Sequence, residues 1–203
     1  MQGSGFSANA DGVYRYGLSG KDFSLTLAVD SQELDKARRR IEPLLAVFLT
    51  VRPSGHSLKL EPRNITLEFV DHFHDRHFAL DPDDLTARLK ASSAEFSEKI
   101  AHEIVHHPNK RAELAAASAD HAEAVRSMIE FLGVKALRSA SASSARQEAA
   151  GWVFFAIRSK WVGELSEQEY FVLRIPIEDL SVELPFTLPP SQSDINLRDR
   201  PND

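Results

Sequence analysis

The hydrophobic period of this chain changes from strand-like to helix-like and back, and that order restricts the fold more than any single motif does. Phe23, Leu25, Leu27 and Val29 alternate with polar or small residues, as a strand with one buried face requires. Further strand-like segments are Val13 to Leu18, Leu45 to Val51, Leu58 to Leu60, Ile65 to Val70 and His77 to Leu80. Ile65, Leu67 and Phe69 share one face, and Pro53-Ser54-Gly55 marks a turn. A short helix is expected at 32–41, ended by Pro43.

The period then becomes helical. Asp81 can cap, Pro82 suits a first turn, and Asp83 and Asp84 favour the positive end of a helix. Leu85, Leu89, Phe96, Ile100 and Ile104 recur at helical spacing until Pro108-Asn109 breaks the chain. A second helix is expected from Arg111 to Leu132, stopped by Gly133, with Leu114, Ser118, His121, Val125, Met128 and Leu132 as a packing seam. Folding back at Pro108-Asn109 sets Ile104 against Leu114, Phe96 against His121 and Leu85 against Leu132. After a Ser/Ala linker at 139–145 the strands return as Gly151 to Ile157, Tyr170 to Ile175 and Val182 to Phe186. Strands on both sides of a helical hairpin imply one α+β domain, because the late strands need early ones as partners. The expected unit is an antiparallel β-sandwich over 13–188, built from 13–80 and 150–188, with the hairpin inserted at 82–133. The Gly/Ser/Ala/Asn-rich residues 1–12 read as disordered, and 189–203, after Pro189-Pro190, as a flexible tail.

Charge and composition remove several function classes. A formal net charge of −6 argues against a nucleic-acid surface, and Arg38-Arg39-Arg40 reads as a solvated helix face. With no cysteine, disulfides, thiolate zinc sites and cysteine catalysis are excluded. No apolar run approaches the roughly 20 residues that span a bilayer, so no transmembrane segment is expected. No signal peptide is apparent, and Met1-Gln2-Gly3-Ser4-Gly5 reads as a mature end preceded by an added methionine.

His102-Glu103-Ile104-Val105-His106 matches H-E-x-x-H and resembles the zincin metallopeptidase motif. That resemblance implies zinc held by His102 and His106, with Glu103 as general base on the metal-bound water. A third ligand would come from downstream, where Glu113, His121, Glu123 and Glu130 are candidates and Glu123 is the least implausible. The helical wheel opposes this reading. His102 and His106 lie roughly 110–140° from the centre of the apolar stripe, facing away from the second helix. They are expected to face solvent, with a zinc peptidase as the alternative.

A second histidine group, His72, His74 and His77, could bind metal without catalysis if extended, but reads better as a polar hairpin connection. His56 follows a turn and is expected to be exposed, and His121 is expected to sit in the helix seam. No serine lies in a nucleophile elbow, and no glycine-rich phosphate loop follows a strand. Asp81, Asp83 and Asp84 are accounted for by capping. Trp152, Phe154 and Phe155 read as core, with Trp161 the best candidate for an exposed partner contact.

The segments Leu45-Ala46-Val47-Phe48-Leu49-Thr50-Val51 and Leu60-Glu61-Pro62-Arg63-Asn64-Ile65-Thr66-Leu67 follow one another early in the chain. With Gly151-Trp152-Val153-Phe154-Phe155 and Leu184-Pro185-Phe186, that order is similar to Ig-like β-sandwich domains of uncharacterised bacterial envelope proteins. The resemblance implies an Ig-like sandwich with an extracytoplasmic binding or structural role, a protein partner and no catalytic residues or cofactor. The helical hairpin departs from that pattern. A non-enzymatic module is thus the leading expectation.

Overall fold

The protein is described here by a computed structural model covering residues 3–8, 13–20, 23–30, 44–54, 58–142, 148–157, 168–177 and 180–188. The early strands are β1 (Gly3–Ala8), β2 (Val13–Ser19), β3 (Phe23–Asp30), β4 (Leu44–Pro53), β5 (Leu58–Leu60), β6 (Thr66–Phe69) and β7 (Asp75–Phe78). Two helices follow, α1 (Pro82–His106) and α2 (Arg111–Lys135), then β8 (Ala140–Ala142), β9 (Ala149–Ala156), β10 (Glu169–Ile177) and β11 (Leu180–Leu188).

Two antiparallel sheets form, one in the order β1-β2-β3-β4-β9 and the other β11-β10-β6-β7, with β5 and β8 paired separately. Strands from before and after the helices share both sheets. Leu45 pairs with Phe155 and Val47 with Val153, while Phe171 pairs with Phe69 and Leu173 with Leu67. The hairpin is therefore an insertion in an α+β sandwich, as the alternation of periods indicated.

Because side chains alternate along a strand, one parity from each strand faces inward. Leu25, Leu27 and Val29 of β3, Leu45, Val47 and Leu49 of β4, and Val153 and Phe155 of β9 meet a second set. That set is Leu67 and Phe69 of β6, Phe171, Leu173 and Ile175 of β10, and Leu184 and Phe186 of β11. Tyr16 ties the two layers at the edge. Its ring lies 5.5 Å from that of Phe186, and its hydroxyl donates to the Thr187 carbonyl at 2.7 Å.

β4 and β9 are also covered on their other face. Leu44, Ala46 and Phe154 join Leu85 and Leu89 of α1 and Val125, Met128 and Leu132 of α2 in a second cluster. Phe131 of α2 packs on Trp152 and Phe154, with ring centroids 5.9 and 6.2 Å apart. Strands buried on both faces need apolar residues at both parities, which accounts for the unbroken runs around Leu44 to Leu49 and Trp152 to Phe155. Trp152 and Phe154 are thus packing residues under the hairpin, and Phe155 belongs to the interior.

Several boundaries differ from the sequence reading. Gly3–Ala8 is not disordered but pairs with β2 along its whole length, from Gly3↔Ser19 to Ala8↔Tyr14. Phe6 stands alone among Gly, Ser and Ala, so the segment carries no apolar alternation and a strand held by backbone hydrogen bonding leaves little signature. Gly133 does not end α2, which continues to Lys135 with open space around the glycine. Part of the Ser/Ala linker is β8. The helix expected at 32–41 with Arg38-Arg39-Arg40, His56, Trp161 and the tail 189–203 lie outside the described residues. Among the described residues, no helix is long and apolar enough to cross a membrane.

Candidate functional site

The hairpin is rooted at both ends on β9. The Leu80 N–H donates to the Phe154 carbonyl and the Leu137 N–H to the Trp152 carbonyl, each at 2.8 Å. Asp81 caps α1, its carboxylate accepting from the N–H groups of Asp83 at 2.8 Å and Asp84 at 3.3 Å. Arg138, beyond α2, donates to Asp83 at 3.0 Å and closes the base. Gly151 is required where the chain leaving α2 crosses β9: a Cβ there would lie 2.6 Å from the Leu137 nitrogen.

Each helix has 25 residues, hence a length of about 37 Å. Leu89 is the last α1 residue in the cluster facing the sheet, and His106 lies 17 positions further on, about 25 Å along the axis. Over that distance the apolar stripe of α1 faces α2. Ile100 is buried, Phe96 and Ile104 are half-buried, and Phe96 stacks on His121 with ring centroids 4.3 Å apart. The expected hairpin alignment is observed at that contact, and Leu85 and Leu132 belong to the same buried cluster at the root. The outer part of the hairpin is thus an arm held by its own seam.

At the end of the arm the H-E-x-x-H residues have separate roles. His102 and His106 are exposed and directly face one another, with Nε2 atoms 3.2 Å apart. The Glu103 carboxylate instead lies 3.7 Å from His107 Nε2, one turn ahead. Glu123 pairs with Arg126 on its own helix. Because His121 is level with Phe96, Glu123 lies about 15 Å or more from His106 along the axis. His102 and His106 are therefore brought together, and Glu123 is not brought to them. Among the described residues, no three His, Asp or Glu side chains converge as metal ligands.

The second histidine group lies at the β6–β7 hairpin, whose connection spans Val70 to His74. Asp75 N–H donates to the His72 carbonyl at 3.1 Å, and the two residues between them, Phe73 and His74, both have φ of 57°. A type I′ turn needs that sign at both central positions and normally takes Asn-Gly there. Phe73 is 98 % exposed at the tip. His74 turns back to Glu68, whereas His72 and His77 flank the Phe69 ring, so the three imidazoles do not share one direction.

Glu68 itself gave no sequence signal. It is a charged residue only 4 % exposed, on the outer face of the second sheet. It accepts from His74 Nδ1 at 2.7 Å, from Arg76 Nε at 3.0 Å and from Arg174, which also donates to Glu183 at 2.7 Å. Burial works against its charged form, but the hydrogen bonds from His74, Arg174 and Arg76 outweigh it and hold the carboxyl at about 2. Cross-strand register assembles this network: Glu68 opposes Arg76, and Arg174 opposes both Thr66 and Glu183. With its partners all supplied internally, the cluster reads as a clamp on four strands rather than a reaction centre.

Comparison with known proteins yields no match to a family model, a curated protein or a solved structure.

Proposed function

We propose that this protein is a non-enzymatic binding or structural module acting outside the cytoplasm, with the sandwich as platform and the helical hairpin as presenting arm. The extracytoplasmic location and the Ig-like character rest on the resemblance of the strand sequences, and a protein partner fits an arm of this kind. One observation carries the reading: among the described residues, the hairpin's backbone bonds to β9 lie at its root, while its outer turns expose the faces away from the interhelical seam. A helical surface of about 25 Å held clear of a rigid core suits contact with another macromolecule. The alternative, a zinc peptidase using His102, His106 and Glu103, is disfavoured by the pairing of Glu103 with His107 and by the remoteness of Glu123.

The test places a photocrosslinking residue at Val105 on the arm or at Phe78 on the open sheet face, in the native host. Both positions are exposed. Discrete adducts from position 105, lost when the arm is shortened between 92 and 119 without loss of folding, are expected. Adducts from position 78 alone would overturn the arm's role. Zinc-dependent peptide hydrolysis abolished by Glu103→Gln would overturn the non-enzymatic reading.

A further inference from the structure

We propose that His102 and His106 form a two-imidazole chelating site for a divalent transition-metal ion at the outer end of the arm. The site needs no catalysis and does not depend on the arm's having a protein partner. Residues four apart on a helix lie on one face, one turn above the other. Here both rings are exposed, their centroids are 4.4 Å apart, and their Nε2 atoms are 3.2 Å apart. Two metal–nitrogen bonds of about 2.0–2.1 Å place the nitrogens about 3.3 Å from one another at a tetrahedral angle and about 2.9 Å at the right angle of a tetragonal copper site. The rings therefore already stand at the bite distance.

In the metal-free chain, one Nε2–H donates to the other Nε2. On binding, the donor ring changes tautomer so that both lone pairs face the ion. Both rings turn about their side-chain bonds to aim at the ion while the helix backbone stays in place, and the ion reaches the site without opening the fold. Imidazole donors select copper, nickel and zinc over magnesium and calcium, which require oxygen ligands. Divalent copper is expected to bind more tightly than nickel or zinc, following the general order for nitrogen sites.

The site differs from a peptidase centre in its glutamate. The Glu103 carboxylate lies beside His107, so no base faces a metal-bound water. The remaining coordination positions are open to solvent or to a donor from another molecule.

The experiment titrates the full chain with Cu²⁺ and, separately, Zn²⁺ against a competing fluorescent chelator. Parallel titrations use His102→Ala, His106→Ala and the control His72→Ala/His74→Ala, with circular dichroism confirming that each variant is folded. One equivalent of copper is expected, with binding weakened about tenfold or more in either arm variant, because chelation by the second ring is lost. The control should bind as the parent does. Amide exchange across 102–107 should slow on metal addition in the parent and not in the arm variants. Absence of binding by the parent, or equal binding by His102→Ala and the parent, would overturn the site. Retained affinity in His106→Ala, with His107 still present, would show that any neighbouring imidazole suffices and would also overturn the assigned geometry.

Discussion

The two halves of the hairpin follow the same heptad-like seam yet are stabilised differently. At the root, α1 and α2 bury Leu85, Leu89, Val125, Met128 and Leu132 against β4 and β9, so each helix is packed on two sides. At the outer end Phe96, Ile100 and Ile104 meet only the seam, and the other faces carry residues such as Ser97, Lys99, His102 and His106. A seam alone orders two helices relative to one another. Docking on a sheet requires a second apolar stripe, and only the root has one. The root should therefore unfold with the sandwich, whereas the outer arm can open locally at lower free energy.

The largest expected effect tests that contrast directly. Leu132→Ala, at a site with no exposure, should lower the free energy of unfolding by about 3 kcal/mol, measured by urea denaturation. Ile104→Ala, in the half-buried seam, should cost about 1 kcal/mol or less and should accelerate amide exchange in the arm alone. Equal losses would mean that the arm and the root form one cooperative unit.

Next in size is the crossing beneath the root. Gly151→Ala introduces a Cβ 2.6 Å from a backbone nitrogen of Leu137, and backbone cannot swing aside as a side-chain end can. A loss of about 2–3 kcal/mol is expected from thermal or urea unfolding. A neutral result would show that the chain leaving α2 is not held against β9.

The outer face of the second sheet supplies a comparison, since among the described residues neither helix of the hairpin packs on it. Glu68→Gln should cost about 2 kcal/mol at neutral pH, since hydrogen bonds from charged groups are weakened. The folded-state carboxyl titrates at about 2, below the ordinary 4.5, so its contribution is fully present above about pH 4.5. That contribution is lost as pH falls from 4.5 towards 2. The stability difference between parent and Glu68→Gln should therefore narrow over that interval, as followed by urea midpoints at each pH. A constant difference would break the assignment.

The smallest effect concerns the start of α1. Asp81→Ala removes the acceptor for two N–H groups and should cost about 1 kcal/mol, with fraying limited to the first turn by amide exchange.

Much of this architecture was legible in the order of residues. The cap at Asp81, the break at Pro108, the facing of Phe96 on His121 and the inward parity of Phe23 to Val29 are consequences of local periodicity and short-range sterics. The proximity of His102 and His106 is local in the same sense, since a helix places residues four apart together. β1 was missed because Gly3 to Ala8 has no apolar period, and the stop at Gly133 was misplaced because a glycine in open space is tolerated within a helix. The apolar residues at both parities around Leu44 and Trp152 were a visible sign that another layer covers those strands.

What the sequence by itself determined was the type of each main element, the face each one buries and the insertion of a helical pair between strands. These follow from interactions spanning a few residues. Only the tertiary structure decided that the hairpin roots on β9, that Gly151 is crossed by the chain at Leu137, and that Glu68 meets Arg174 across 106 positions of sequence. Those contacts depend on strand register and on how sheet layers meet. Register couples residues far apart in the chain, and the pattern within any one segment cannot specify it.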